Sequence, residues 1–123
     1  MTSQYKFSFE KLDVWQDSRS LTKVIYEVTK SFPDSEKFGL VSQMRRASVS
    51  VSSNIAEGAA RSSTKDYIRF LYQSLGSASE LETQYLACQL LNLTEENPEY
   101  LDKIDHVLRM LKSQINSLKK KDQ

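Results

Sequence analysis

Apolar residues recur along the chain at helical intervals. Leu21, Val24, Ile25 and Val28, with Val14 and Trp15 one or two turns ahead, mark a first helix from about Leu12 to Phe32. Phe32-Pro33-Asp34 closes it, because a residue before proline is pushed out of the α region. A second helix spans about Ser35 to Glu57, with Val41, Met44, Ser48, Val51 and Ile55 in 3-4-3-4 spacing. Inside it, Ser48-Val49-Ser50-Val51-Ser52 alternates like a strand. No partner strand appears elsewhere, so the helical reading prevails.

A third helix follows Arg61-Ser62-Ser63-Thr64, where Ser63 and Asp66 resemble a capping box. Its inner face is marked by Tyr67, Phe70, Leu71, Ser74, Leu75, Ala78, Leu81, Tyr85 and Cys88, and Ile68 and Tyr72 widen it. A fourth helix starts at Asn97 as N-cap, with Pro98 first in the helix and then Glu99. Leu101, Ile104, Leu108, Leu111, Ile115 and Leu118 carry its seam.

Short connections make sequential helices antiparallel neighbours. The expected fold is therefore all-α, an up-down-up-down antiparallel four-helix bundle over residues 12–118. Residues 1–11, in which Tyr5, Phe7 and Phe9 alternate with polar residues, form an extended N-terminal segment, and residues 119–123 a frayed basic tail. The expected core is Leu21, Val28, Val41, Met44, Val51, Ile55, Leu71, Leu75, Leu81, Leu108, Leu111 and Ile115.

A chain of 123 residues suits one domain that folds without disulfides. Its single cysteine, Cys88, excludes a disulfide framework or a multi-cysteine metal site and fits a reducing cytoplasm. No apolar run reaches the ~20 residues of a membrane span, and the N-terminus has no signal-like apolar stretch. The only histidine, His106, stands beside Asp105 and reads as a solvated surface group. Phosphate-loop, metalloprotease and nucleophile-elbow motifs are absent, so neither catalysis, nor a metal, nor a cofactor is expected. Arg45-Arg46-Ala47-Ser48 and Asn92-Leu93-Thr94 match modification motifs without supporting context.

Net charge is +1, yet the charges are segregated. Residues 37–75 carry six basic and two acidic side chains, residues 76–105 one and seven, and residues 106–123 five and one. A locally basic face can meet an anionic partner on a chain that is neutral overall. The candidate face comprises Arg45, Arg46, Arg61, Lys65 and Arg69. Arg45 and Arg46 lie about 100° apart on a helix, so at most one points inward. In the stretch Gln43–Arg61, Ala47, Ser48, Ser50, Ser52 and Ala56 permit close helix approach. Asn54, Glu57 and Arg61 share a helix face, where Glu57 can bridge amide and guanidinium in a structural polar network. Gly58, Gly76, Ser77 and Glu80 complete this set, and Gly76-Ser77 in mid-helix implies a close helix contact. The competing account of the arginines pairs Arg61, and one of Arg45 and Arg46, with Glu57 or Glu80.

FEKLDVWQDSRSL, IYEVTKSFP, FGLVSQMRRASVSVSSNIAEGAARSS and YIRFLYQSLGSASELETQ together resemble the bacterial four-helix bundle proteins of the 23S rRNA intervening-sequence protein family. The accessory protein of diversity-generating retroelements is a related branch. The resemblance covers about residues 9–90 motif by motif. Ser52, where the family often has proline, and Ala59-Ala60 depart from its pattern. The resemblance implies a homo-oligomer, a pentameric ring. It also implies a non-catalytic role linked to RNA or DNA, directly or through a partner protein such as a reverse transcriptase. A protein-binding scaffold without nucleic-acid contact is the alternative.

Overall fold

The computed structural model describes residues 8–95 and 97–121. Four α-helices account for most of these residues: α1 (Asp13–Thr29), α2 (Leu40–Ala59), α3 (Thr64–Leu90) and α4 (Pro98–Lys121), with no strand among the described residues. Each helix packs against two others, α1 and α3 both against α2 and α4, while the diagonal pairs do not approach. Hydrogen bonds between helices set the directions. Thr22 donates to the Ser48 carbonyl and Arg45 to Thr29, so α1 and α2 are antiparallel. Ser74 donates to the Val51 carbonyl at 2.8 Å, and the Ser50 and Ser77 hydroxyls are 2.9 Å apart, which aligns α2 with α3. Tyr100 of α4 donates to the Val24 carbonyl of α1 at 2.7 Å. The bundle is up-down-up-down.

The helix ends follow local chemistry. Ser63 caps α3 by accepting from the Asp66 N–H at 3.1 Å, and Asn97 caps α4 by accepting from the Glu99 N–H at 3.1 Å. At the far end of α3, Asn92 takes φ 57, the left-handed conformation. The N–H groups of Asn92 and Leu93 then close back onto the Gln89 and Cys88 carbonyls. Asparagine tolerates that conformation better than most residues, which gives Asn92 a structural role. The second helix begins at Leu40 instead of Ser35. Asp34–Glu36 is a 3-10 turn behind Pro33, and Gly39 (φ −106°, ψ −111°) is not helical. The described end of the expected extended segment, Ser8–Lys11, is likewise a 3-10 turn, with Phe9 edge-on to Trp15 at 5.1 Å. Tyr5 and Phe7 lie outside the described residues. Of the expected basic tail, residues 119–121 belong to α4, which continues through Lys121.

All the expected core residues are buried except Val28 and Leu75, which are partly buried and packed against the core. The Ser-Val alternation in α2 resolves as a helix, with Ser48 and Val51 inside and Val49 outside. Ser48 is fully enclosed and donates to the Arg45 carbonyl, so its hydroxyl is inaccessible to a kinase. Cys88 is buried 3.5 Å from the Met44 sulfur, and burial pushes its thiol up to about 11. A thiol held protonated at neutral pH is a packing group.

Gly76 departs from expectation. A Cβ added there meets nothing within 4 Å, so no helix of this chain approaches it. Its position on α3 turns it outward, and the close contact falls at Gly58 instead. Replacing Gly76 by alanine therefore raises unfolding free energy by about 0.5–1 kcal/mol, the helix-propensity difference. Urea denaturation at fixed protein concentration reads this directly, and a decrease would show that Gly76 packs against something within the chain.

Candidate nucleic-acid interface

The basic residues do not form one group. Arg45 is held against α1, where Nε donates to Thr29 Oγ1 at 2.9 Å and Nη2 to the Tyr26 carbonyl at 3.4 Å. Its guanidinium also lies 4.6 Å from the Tyr26 ring centroid. Arg45 thus pins α2 to α1. Arg46 is exposed on the first half of α2. Thirteen residues of helix put it about 20 Å along the axis from the end of α2 at Ala59, beyond which Arg61 lies.

Arg61, Lys65 and Arg69 do converge, at the corner where α2 ends and α3 begins. Phe70 is the reason. Its buried ring carries the Arg61 guanidinium at 4.7 Å and the Arg69 guanidinium at 4.5 Å. Each arginine also has an acidic neighbour, Glu57 for Arg61 at 3.1 Å and Asp66 for Arg69 at 3.6 Å. These pairs are about half exposed, so screening by water keeps them weak, and the arginines can exchange partners. Lys65 is exposed on the same corner, one turn before Arg69.

Antiparallel order brings a second basic segment to this corner. The last turn of α4 carries Lys119, Lys120 and Lys121, all exposed. Lys119 bonds to the Tyr72 hydroxyl of α3, its ammonium 5.1 Å from the ring centroid. Two basic segments more than forty residues apart in sequence thus lie at the same end of the bundle, joined through the Lys119–Tyr72 contact. Sequence reasoning missed Lys119–Lys121 because it treated them as a tail. The one signal available was the charge of the last helical turn, which suits the helix dipole.

The expected polar network splits into three parts. Asn54 donates to the Ser50 carbonyl at 2.9 Å and to Ser50 Oγ at 3.0 Å, and Ser50 meets Ser77, which joins α2 to α3. Glu57 pairs with Arg61 and makes no bond to Asn54. Glu80 accepts from Gln84 Nε2 at 3.1 Å along α3 and pairs with no arginine among the described residues. Gly58 contributes packing. A Cβ there would sit 2.7 Å from Phe70 Cβ and 3.1 Å from Tyr67 Cδ1.

His106 lies on the surface, 3.0 Å from Asp17 of α1, and links α4 to α1. Among the described residues no three His, Cys, Asp or Glu side chains are placed to hold a metal ion. No described helix is long and apolar enough to cross a membrane.

A search of curated proteins finds none that matches this chain. Among solved structures, the chain resembles a protein of unknown function from the S23 ribosomal protein family of Bacteroides thetaiotaomicron, determined at 1.70 Å. The TM-score is 0.71 at 23% identity, with 83% of this chain and 97% of the other covered. That likeness concerns the fold. The model of the 23S rRNA-intervening sequence protein family matches residues 10–113, nearly the whole bundle, and the chain belongs to this family.

Proposed function

We propose that this protein is a non-catalytic, cytoplasmic nucleic-acid-binding protein that grips a sugar–phosphate backbone at the basic end of its bundle. The observation that carries this reading is that Lys119 of α4 lies against Tyr72 at the end of the bundle where Arg61 and Arg69 rest on Phe70, with Lys65, Lys120 and Lys121 exposed at that same end. Arginine suits phosphate because its planar fork donates two parallel hydrogen bonds, and lysine adds mobile point charge. One such corner binds weakly. Repetition in a homo-oligomer, five copies by the family resemblance, multiplies the contacts through effective concentration. Exposed Val49, Leu86, Leu90 and Leu91 are apolar surface that further copies would cover.

Lys65, Lys120 and Lys121 are exposed, so their charges can be removed without touching the core. Changing all three to glutamine should weaken binding of RNA or DNA in gel shifts. It should also flatten the dependence of log affinity on log salt by up to about 0.7 per lost contact on single strands and 0.9 on duplex. Melting temperature and oligomer size stay constant, because exposed charges add little to stability. Unchanged affinity and unchanged slope would remove this end as the site.

The second reading, a protein-binding scaffold, has its own observation. Phe38 (90% exposed), Leu90 (83%) and Leu91 lie at the opposite end, where α2 starts and α3 finishes in an acidic stretch. Under that reading no nucleic acid binds even at low salt.

A further inference from the structure

Gly76 sits in the interior of a long helix, exposed, with no contact that needs a missing side chain. Glycine is unfavourable there, so its place calls for something outside the chain. One turn earlier on the same face is Tyr72, its residue 45% exposed. Helical side chains lean toward the N-terminus and cover the turn before their own Cα. Any longer side chain at position 76 would therefore lie over Tyr72, and glycine leaves that flank of the ring bare.

The surroundings of the ring are cationic. Lys65 and Arg69 lie seven and three residues before Tyr72 on the same side of α3, Lys65 exposed and the Arg69 guanidinium resting on Phe70 beside Asp66. Lys119 reaches the ring and its hydroxyl from α4. One turn beyond Gly76, Ser79 and Glu80 are exposed, and Ser79 continues the face of Tyr72 without bulk. A part-exposed aromatic ring with a lysine on one side and basic residues along the same helix face is an arrangement that can hold a base by stacking while its phosphates are neutralised.

We propose that Tyr72 is a stacking platform for an unpaired base, with Gly76 as the residue that keeps it open, so that the ligand of this basic end is a single-stranded nucleic acid. The inference rests on the nucleic-acid reading above and adds the substrate class to it. In the interior of a duplex the bases are stacked on one another and offer no free face to Tyr72. A duplex meets only the lysines and arginines.

The test is fluorescence anisotropy on the full-length protein with a labelled twelve-nucleotide oligouridylate and a twelve-base-pair RNA duplex at one salt concentration. The single strand should bind the more tightly. Tyr72→Ala should weaken single-strand binding roughly 5- to 150-fold, the range for loss of one stacked base, and leave duplex binding unchanged. Tyr72→Phe keeps the ring and loses only the bond from Lys119, so it should bind as the wild type. Gly76→Gln should reproduce the loss of Tyr72→Ala in a chain that still folds, because glutamine is a good helix former.

Equal loss on both ligands, loss in Tyr72→Phe as large as in Tyr72→Ala, or no loss in Gly76→Gln overturns the platform and leaves the backbone-binding reading standing. A Gly76→Gln variant that changes oligomer size at unaltered single-strand affinity also overturns it, by assigning the face to a second copy. Failure of the wild type to bind either ligand at low salt removes both readings.

Discussion

Replacing Tyr85 by alanine should lower the unfolding free energy by about 3–5 kcal/mol, the range for deleting a buried aromatic side chain. Tyr85 has no exposed surface, and its ring lies 5.3 Å from that of Tyr100. Its hydroxyl accepts from the Asn97 N–H at 2.9 Å and lies 3.4 Å from the Asn97 carbonyl, toward which it donates. Asn97 is the residue that caps α4, so one phenol ties the C-terminal part of α3 to the start of the next helix. Tyr85→Phe separates the two contributions. It keeps the ring and leaves the Asn97 amide without its partner, for a loss of about 1–3 kcal/mol. Denaturant titration of both variants at one protein concentration measures the difference. Equal losses for Phe and Ala would mean that the ring adds nothing beyond its hydroxyl. A loss below 1 kcal/mol for both would show that the α3–α4 connection is held by other contacts. Against a typical domain stability of 5–15 kcal/mol, the alanine variant should stand near the limit of folding.

The second large effect is at Gly58. A Cβ there would come within 2.7 Å of Phe70 Cβ and 3.2 Å of the Tyr67 carbonyl oxygen. The Tyr67 ring, 3.1 Å away, can turn aside, but Phe70 Cβ and the Tyr67 carbonyl are fixed to the backbone, so relief requires α3 to move away from α2. Gly58→Val should therefore cost about 1–3 kcal/mol, the range for overpacking a well-filled contact. The same displacement carries Phe70 with it, and with Phe70 the two guanidiniums that rest on it. Loss of stability should thus be joined by weaker nucleic-acid binding, although Gly58 itself is buried and touches no ligand. Denaturation and gel shift on one preparation read the two effects. A valine variant as stable as the wild type would mean that the α2–α3 contact yields freely. Gly76→Ala, with open space around it, moves stability the other way, so these two helical glycines are separated by the sign of the change.

The sequence by itself determined what depends on short-range order. Helix number follows from the 3.6-residue period of Leu21 to Val28, of Val41 to Ile55, of Tyr67 to Cys88 and of Leu101 to Leu118. The starts of α3 and α4 follow from the caps Ser63 and Asn97, whose side chains bond to amides two or three residues away. Burial of the core residues follows from the same period, because a helix with one apolar stripe has only one face to hide. Where local signals conflict, boundaries shift: Gly39 delays α2 to Leu40, against the apparent start at Ser35.

The tertiary structure alone decided how residues far apart in sequence combine. Five basic side chains in one charge block looked like one face, yet α2 sets Arg45 and Arg46 about 20 Å along its axis from its end at Ala59, beside Arg61. Arg45 found Thr29 and Tyr26 of α1, partners that no spacing within α2 could announce. Lys119 reached Tyr72 only because α4 runs antiparallel to α3 and returns its C-terminus to the start of that helix. Gly58 and Gly76 are the same residue type in the same kind of helix, and one meets Phe70 while the other meets nothing. Periodicity states which way a side chain points relative to its own helix axis. Which helix stands opposite, and how closely it approaches, is set by the joint packing of all four, and the candidate interface is made of those relations.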